Sequence, residues 1–249
     1  MFRYFIALQY DGSNYHGWQV QENAHSVQAE INQALSTFLQ QDMMITGAGR
    51  TDTGVHARQM FAHFDLDQEV DTQLLQFKLN ALLPFDIACD RVFPVPAETH
   101  ARFSATSRTY EYWITKRKDP FLQNKAWYFS GDLDLELMNQ GAAELLKHTD
   151  FSCFSKSHTD TYTNDCDLMF AEWKQTDDLL IFTIRANRFL RNMVRAIVGT
   201  LVTLGQHKIS LNDLTTIVES KDRSNAGSSA PAHGLYLTAV DYPREVFHG

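Results

Sequence analysis

The order of strand-like and helix-like patterns is the feature that most constrains the fold of this chain. Alternating or β-branched stretches predict strands at 4–9, 43–46, 59–67, 86–93, 108–116, 167–175, 179–186 and 235–241. Apolar residues at helical spacing predict helices at 26–38, 72–83, 134–147, 188–205 and 211–219. The two kinds of element intermix without strict βαβ alternation, which favours an α+β protein with mixed or antiparallel sheets.

Length and composition are those of an ordinary soluble globular protein. The chain has 249 residues, of which 44% are hydrophobic and 21% are charged. That length can bury a sizeable core, either as one large domain or as two smaller lobes. Because the mixed pattern of elements occurs twice, we expect two α+β halves, residues 1–105 and residues 106–249.

Several protein classes are disfavoured by what the sequence lacks. No apolar run reaches the ~18 residues that a membrane-spanning helix needs, and the first residues lack a secretory cleavage site. The cysteines are widely spaced, which fits a reduced cytoplasm and argues against a zinc site or disulfides. They are Cys89, Cys153 and Cys166. The sequence also contains no Walker loop and no complete dinucleotide-binding glycine motif. We therefore expect a cytoplasmic protein without a metal or a small-molecule cofactor.

The net charge of −8 by itself argues against a nucleic-acid partner. Its distribution does not, because segments 101–118 and 185–195 carry +4 each and the other 220 residues carry −16. Both basic segments also contain aromatic residues. Such a mixture suits RNA, because rings stack on bases while cations hold phosphates. The alternative is an ordinary solvated charged surface.

The stretch GAGRTDTGVHAR, residues 47–58, lies between two predicted strands and is the first candidate site. Its glycines permit sharp turns and the close approach of another group. Loops at strand ends commonly present reactive residues, and Arg50 and His56 favour an ionised Asp52 carboxylate beside a phosphate-binding surface. The alternative is that Asp52 only caps a turn.

Two further candidates lie in the basic segments. On the predicted helix 188–205, a broad apolar face leaves a polar stripe on the other side. The stripe consists of Arg188, Arg191, Asn192, Arg195 and Gly199. Surface helices usually mix charges of both signs, so an ordinary amphipathic helix is the less typical alternative. Tyr110 lies in the densest basic and aromatic patch, where it either stacks on a nucleobase or packs in the core.

Six motifs in the same order make the chain similar to a known family. They are YDGSNYHGWQVQ (10–21), GAGRTDTGVHA (47–57), LNALLPFDI (79–87), HARFSATSRTYEYWI (100–114), FLRNMVRAIVGTL (189–201) and APAHGLYLTAV (230–240). Through these motifs the sequence resembles the TruA family of tRNA pseudouridine synthases over essentially its whole length. The resemblance implies a pseudouridine-synthase-like α+β fold, whose two halves and mixed or antiparallel sheet flank a central basic cleft. It also implies a homodimer.

The resemblance assigns roles residue by residue. Asp52 falls on the family's essential aspartate, Tyr110 on its stacking tyrosine, and Arg195 on the arginine that pairs with the aspartate. Arg50 falls on an arginine implicated in substrate placement and base flipping. Other basic residues of these segments are expected to contact RNA, namely Arg58, Arg102, Arg108, Lys116, Arg188 and Arg191.

The implied reaction converts uridine to pseudouridine at positions 38, 39 and 40 in the anticodon stem-loop of tRNA. It breaks the C1′–N1 bond, turns the uracil over and joins C5 to C1′, which needs no cofactor and no metal. It does need an ionised carboxylate that attacks C1′ or C6, or deprotonates C2′. The target base must also leave its stack, and Tyr110 would hold the detached uracil and is a candidate for removing the C5 proton.

Two departures and two alternatives accompany this interpretation. Segment 161–170 lacks an arginine that many family members carry, so no RNA contact is expected there, and Thr99 replaces a more usual aromatic residue. One alternative is a catalytically inactive tRNA-binding protein of the same fold, although binding alone does not require Asp52. The other is a nucleoside hydrolase, which needs a second carboxylate. Glu111 is the acid of the basic patch, but as a strand neighbour of Tyr110 it points the opposite way.

Overall fold

The computed structural model describes residues 1–156 and 163–247. Contacts group the chain into two compact units, Met1–Thr106 with the segment from Tyr236 onward, and Ser107–Leu235. Both units combine strands with helices and contain parallel as well as antiparallel pairs, which confirms an α+β protein with mixed sheet. The domain boundaries at 105 and 106 stay a prediction, and the contacts place the last strand with the first unit.

The described residues form nine strands and five α-helices, besides short 3-10 turns. The strands are β1 (Phe2–Tyr10), β2 (Thr46–Gly47), β3 (His56–Leu66), β4 (Ile87–Val95), β5 (Ser107–Thr115), β6 (Trp127–Tyr128), β7 (Leu168–Gln175), β8 (Leu179–Ala186) and β9 (Leu235–Asp241). The helices are α1 (Val27–Leu39), α2 (Thr72–Leu82), α3 (Leu135–Leu145), α4 (Met193–Gly205) and α5 (Leu211–Glu219). Most predicted elements are confirmed with small shifts at their ends, and β8, α5 and β9 match their predicted ranges. The predicted strand 43–46 overlaps β2 only at Thr46, and the sequence pattern does not predict β6.

The first unit is organised around the end of β1. Tyr10 pairs with Ala57 of β3 on one side and with Ile87 of β4 on the other. Both pairings are antiparallel, so the end of β1 lies beside the beginnings of β3 and β4. β9 adds in parallel to β3, with His56 opposite Tyr236. Three loops therefore meet at one end of this sheet.

Helix α1 shows how the local sequence forms an element of the first unit. Ser26 precedes the helix with an extended backbone, and its hydroxyl accepts the backbone N–H of Ala29 at 3.4 Å. An apolar stripe from Val27 to Leu35 is buried, and burial stabilises by about 1.5–3 kcal/mol for each large apolar side chain. Gln40 ends the helix in the left-handed conformation, with φ of 54°.

In the second unit, β8 is the central strand and pairs antiparallel with β5 and β7. Tyr110 of β5 lies opposite Ile184 of β8. Helix α3 packs on β7, where the side-chain amide of Asn139 donates to the C=O of Trp173 at 3.0 Å and accepts its N–H at 2.7 Å. The segment 161–170, which departs from the family pattern, is described only from residue 163 onward, because 161 and 162 lie outside the described residues.

The fourth helix is shorter than the sequence predicts. Apolar periodicity predicts a helix over 188–205, but α4 does not begin until Met193. Asn192 has a left-handed backbone with φ of 66°, and an α-helix cannot continue through a residue in that conformation. The prediction of one helical arginine stripe is therefore wrong for Arg188 and Arg191, which lie in the connection that follows β8.

The cysteines are structural in character. All three are buried and free of disulfides. Burial raises the pKa of Cys89 and of Cys153 to about 12, so both stay protonated and unreactive at neutral pH. Among residues 1–156 and 163–247, no cluster of His, Cys, Asp or Glu could hold a metal ion. In the same part of the chain, no helix is both long and apolar enough to cross a membrane.

His63 joins β3 to the turn that follows β4. Its Nδ1 accepts the backbone N–H of Ala101 at 3.2 Å, which requires an unprotonated nitrogen. Burial, reinforced by the charges of Arg3 and His100, lowers the pKa of His63 to about 4. An unfolded histidine takes up its proton near pH 6.5. Acidification between these two values therefore favours the unfolded chain.

We expect the free energy of unfolding to fall by up to about 3 kcal/mol between pH 7 and pH 4 through His63 alone. His63→Gln should be less stable at pH 7, and its stability should decline less steeply as the pH falls. Urea unfolding at four pH values across this range measures both curves. The pKa of the Asp65 carboxyl is lowered by its hydrogen bond to Arg3, so its contribution is lost only at lower pH. If the free energy of unfolding fell equally steeply with pH in the parent protein and in His63→Gln, His63 would not be the source of the pH dependence.

Candidate active site

The aspartate loop, residues 48–55, connects β2 to β3. The backbone N–H of Val55 donates to the C=O of Asp52 at 3.1 Å, which closes a tight turn. Gly54 stands within this turn with φ of 78°, a conformation that side-chain-bearing residues rarely adopt. Asp52 is half-buried and Arg50 is exposed. The turn that the glycine pattern predicts is therefore present.

Backbone hydrogen bonds tie the aspartate loop to the motif at residues 10–21. The N–H of Trp18 donates to the C=O of Thr51 at 3.2 Å, and the N–H of Gly54 donates to the C=O of Tyr15 at 3.3 Å. These two bonds hold the loop on both sides of its aspartate. Nothing in the sequence pattern indicates this partnership beyond the presence of both motifs, and the pattern therefore does not predict Tyr15 and Trp18 as part of the site.

Glycines in the same motif allow the two segments to approach closely. Gly17 has φ of +91°, and a Cβ there would lie 2.3 Å from the carbonyl oxygen of Thr51. At Gly12, a Cβ would lie 1.9 Å from the carbonyl oxygen of Val55. Only glycine permits such contacts between backbones. A buried hydrogen bond of 2.9 Å between the Tyr10 hydroxyl and Thr51 Oγ1 adds a side-chain link.

His56 begins β3 at the base of the aspartate loop and is 2% exposed. Its Nδ1 accepts the N–H of Gly12 at 3.1 Å and lies 3.0 Å from Asp11 Oδ1. The imidazole stacks on Tyr236, with ring centroids 4.6 Å apart. The guanidinium of Arg58 lies 5.8 Å from the centroid of the same tyrosine ring. His56 therefore has a packing role at the base of the loop, and exposed Arg58 lies beside it.

Tyr110 lies on β5 in the second unit. Tyr112 and Ile114 share its face of the strand and are fully buried, whereas Tyr110 is half-buried. The ring of Phe189 meets that of Tyr110 edge to face, with centroids 5.2 Å apart and planes at 90°. This edge contact restrains the orientation of the tyrosine ring.

Arg195 lies in the first turn of α4 and is held by the loop that precedes β9. Its Nε donates to the C=O of Ala230 at 2.8 Å, and its own C=O accepts the N–H of Ala230 at 2.9 Å. One turn further on, a Cβ at Gly199 would lie 1.8 Å from the carbonyl oxygen of Ser228. Burial raises the pKa of Tyr112, and the positive charge of Arg195 opposes the rise. The guanidinium thus has a fixed direction.

The remaining residues with a predicted RNA contact are spread over both units. They are Arg58, Arg102, Arg108, Lys116, Arg188 and Arg191. Arg108 donates to the C=O of Asn187 at 2.8 Å, Lys116 donates to the C=O of Gly131, and Arg191 is exposed. Their contact with RNA stays a prediction, as does the ion pair between Asp52 and Arg195.

Comparison with known proteins places the chain in a family. A family model described as tRNA pseudouridine synthase matches residues 6–104 and 142–243. The chain belongs to the tRNA pseudouridine synthase family. It is therefore an enzyme of the isomerase class. Asp52 and Arg195 lie within the matched ranges, and Tyr110 lies between them.

Curated relatives are similar to this member of the family over nearly their full length. A protein named tRNA pseudouridine synthase A from Parabacteroides distasonis is 50% identical over 248 residues, which cover 99% of this chain and 98% of that protein. Proteins with the same name from Bacteroides thetaiotaomicron and Porphyromonas gingivalis are each 51% identical. Their alignments cover 99% of this chain, and 93% and 100% of the two relatives. The similarity therefore spans both units.

We expect Gly17→Ala to lower the free energy of unfolding by about 1–3 kcal/mol. The added methyl group would collide with the carbonyl oxygen of Thr51, and alanine is strained at the positive φ of residue 17. Gly49→Ala is the matched control, since Gly49 lies in the aspartate loop but an added Cβ there meets no atom within 4 Å. The control should stay within about 0.5 kcal/mol of the parent chain. Urea unfolding of the three proteins measures the difference. A loss of equal size at both positions would show that close approach is not the cause.

Proposed function

We propose that this chain isomerises uridine to pseudouridine in tRNA, at positions 38, 39 and 40 of the anticodon stem-loop. The observation that carries the proposal is the structure of the aspartate loop in a member of this family. Asp52 lies on a turn whose backbone is hydrogen-bonded on both sides of the aspartate, at Thr51 and at Gly54. A carboxylate in a fixed place is what attack on a sugar or base requires. The name of the relatives, tRNA pseudouridine synthase A, supports tRNA as the substrate.

In this proposal Asp52 begins the reaction, by attack at C1′ or C6 or by deprotonation of C2′. Arg195 is its ion-pair partner, because a cation beside a carboxylate favours the ionised form. The hydrogen bond from Arg195 Nε to the C=O of Ala230 supports this role. This bond restricts the guanidinium to few orientations. The ion pair with Asp52 then costs less side-chain conformational entropy.

Tyr110 and Arg50 act on the base rather than on the sugar. Tyr110 stacks on the detached uracil while the base turns over, and the edge contact from Phe189 supports a fixed ring plane. Tyr110 is also a candidate for removing the C5 proton after C5 joins C1′. Exposed Arg50 places the substrate and assists base flipping, a step that costs a few kcal/mol of lost stacking and pairing.

The proposal includes a cytoplasmic homodimer in which two halves of each chain flank a central basic cleft. Its support is the charge distribution, since segments 101–118 and 185–195 are basic in a chain of net charge −8. Only the surface that meets phosphates has to be positive. An acidic remainder keeps the protein soluble and disfavours loose binding of RNA elsewhere.

The hydrolase alternative lacks the carboxylate that it needs in the basic patch. Trp113 Nε1 donates to Glu111 Oε2 at 2.9 Å, and these two side chains lie on the strand face opposite that of Tyr110. Glu111 therefore does not supply a second acid next to the tyrosine, as glycoside hydrolysis requires. No observation favours the other alternative, an inactive tRNA-binding protein.

We expect Asp52→Asn to lower tritium release from unmodified tRNA labelled at uracil C5 by at least about a thousand-fold. The reason is that the amide keeps the size of the side chain but can neither attack the sugar nor take a proton. Asp42→Asn, an exposed aspartate that precedes β2, should react like the parent enzyme. Product analysis for pseudouridine confirms that the released tritium reports the isomerisation.

Two outcomes of this assay would overturn the proposal. Free uracil in the product would indicate hydrolysis, because the glycosidic bond breaks without the new carbon–carbon bond. A folded parent protein that binds tRNA without releasing tritium would indicate a binding protein.

We expect Arg191→Gln to weaken tRNA binding by about three- to tenfold and to reduce the slope of log K against log salt by about one. The reason is that exposed Arg191 would contribute one phosphate contact. Arg117→Gln is the control, because Arg117 is also exposed but pairs with Asp178 at 2.5 Å. Filter binding at four salt concentrations measures both slopes. An unchanged slope for Arg191→Gln would remove it from the RNA contacts.

A further inference from the structure

Asp86 is the centre of a group of hydrogen bonds at the end of the first unit's sheet. It stands just before β4, in the motif at residues 79–87. One carboxylate oxygen accepts the hydroxyl of Tyr15 at 2.5 Å, and the other accepts the side-chain amide of Asn14 at 3.2 Å. The Asp86 carbonyl accepts the backbone N–H of Asp11 at 2.9 Å. One aspartate thus holds the segment 11–15 at three points.

Tyr15 connects this group to the aspartate loop. Its side chain is 2% exposed, and its carbonyl accepts the N–H of Gly54, which lies within the turn that carries Asp52. Burial, and then the hydrogen bond to Asp86, raise the pKa of Tyr15, so the hydroxyl remains a donor at neutral pH. The ring packs beside His25, with centroids 4.8 Å apart. Tyr15 therefore contacts Asp86 through its hydroxyl and the aspartate loop through its backbone.

The energetics of this pair favour a single position for segment 11–15. A buried donor that is left without a partner destabilises the fold, so the Tyr15 hydroxyl favours the position in which it reaches Asp86. Asp86 itself is fixed by the sheet, because the adjacent Ile87 pairs with Tyr10 at the end of β1. The sheet therefore fixes Asp86, Asp86 fixes Tyr15 through its hydroxyl, and Tyr15 fixes Gly54 through its backbone carbonyl.

We propose that Asp86 and Tyr15 are positioning residues that hold the Asp52 turn in its reactive place through the hydrogen bond between them. Neither residue contacts the substrate in this scheme. The kinetic part of the inference rests on the proposed function of Asp52. A displacement of about 1 Å at a reacting group can lower a rate by about a hundredfold. Loss of the Tyr15–Asp86 hydrogen bond is therefore expected to lower kcat.

Tyr15→Phe tests the proposal most directly, because it removes the hydroxyl and keeps the buried ring. We expect kcat for tritium release to fall by about ten- to a hundredfold. KM for tRNA should stay within about threefold, since the proposed RNA-contact arginines are unchanged. Asp86→Ala should have the same effect. Asp86→Asn should keep most of the activity, because its amide oxygen still accepts the tyrosine hydroxyl.

Asp90→Ala is the matched control for the aspartate. Asp90 also belongs to the β4 region and also accepts a hydrogen bond from a β1 side chain, that of Gln9, at 2.7 Å. That bond is exposed and does not involve segment 11–15, so kcat and KM should not change. The double variant Tyr15→Phe/Asp86→Ala should be no slower than the slower single variant, because both remove one interaction. Additive losses would show that the two residues act separately and would overturn the proposal.

Amide hydrogen exchange tests the anchor without any reference to activity. Protection of the Gly54 N–H should fall by about tenfold or more in Tyr15→Phe and in Asp86→Ala, and should not change in Asp90→Ala. If the parent protein releases no tritium, the proposed function fails and exchange alone decides whether the anchor exists. Unchanged protection of Gly54 would overturn the anchor. A loss that appears only in KM, or that Asp86→Asn does not rescue, would overturn the positioning role.

Discussion

The register of β1 between β3 and β4 is the constraint on which the aspartate loop depends. Tyr10 pairs with Ala57 and with Ile87, so three loops leave the sheet at the same end. A slip of one residue in either pairing would exchange the two faces of a strand that is largely buried. The register is therefore strongly specified, and the loop that carries Asp52 takes its position from it.

Both units use a glycine to bring a loop against a fixed element. In the first unit, Gly17 lets the N-terminal motif approach the backbone of Thr51. In the second, Gly199 lets the loop before β9 dock on α4, and the same loop then binds Arg195 through Ala230. Each glycine costs conformational entropy on folding. As a result, backbone groups hold the turn that carries Asp52 in the first unit and the side chain of Arg195 in the second.

The sequence predicted much of the fold and part of the site. Periodicity located most elements, because hydrophobic spacing reports which face of each element is buried. It failed at the start of α4, because the left-handed backbone of Asn192 interrupts the helix without disturbing the apolar spacing. The Tyr15–Asp86 hydrogen bond joins residues 71 positions apart, and no local pattern identifies such a pair.

The sequence by itself determined the class of fold, the charge distribution and the motifs that carry Asp52, Tyr110 and Arg195, because these depend on residue type and local spacing. Only the tertiary structure decided what holds those residues: Tyr15 and Trp18 for the aspartate loop, Phe189 for the tyrosine, and Ala230 for the arginine. The physical reason is that hydrogen bonds and ring contacts join atoms far apart in the chain. Strand register and close backbone approach bring those atoms together, and neither can be read from residue spacing.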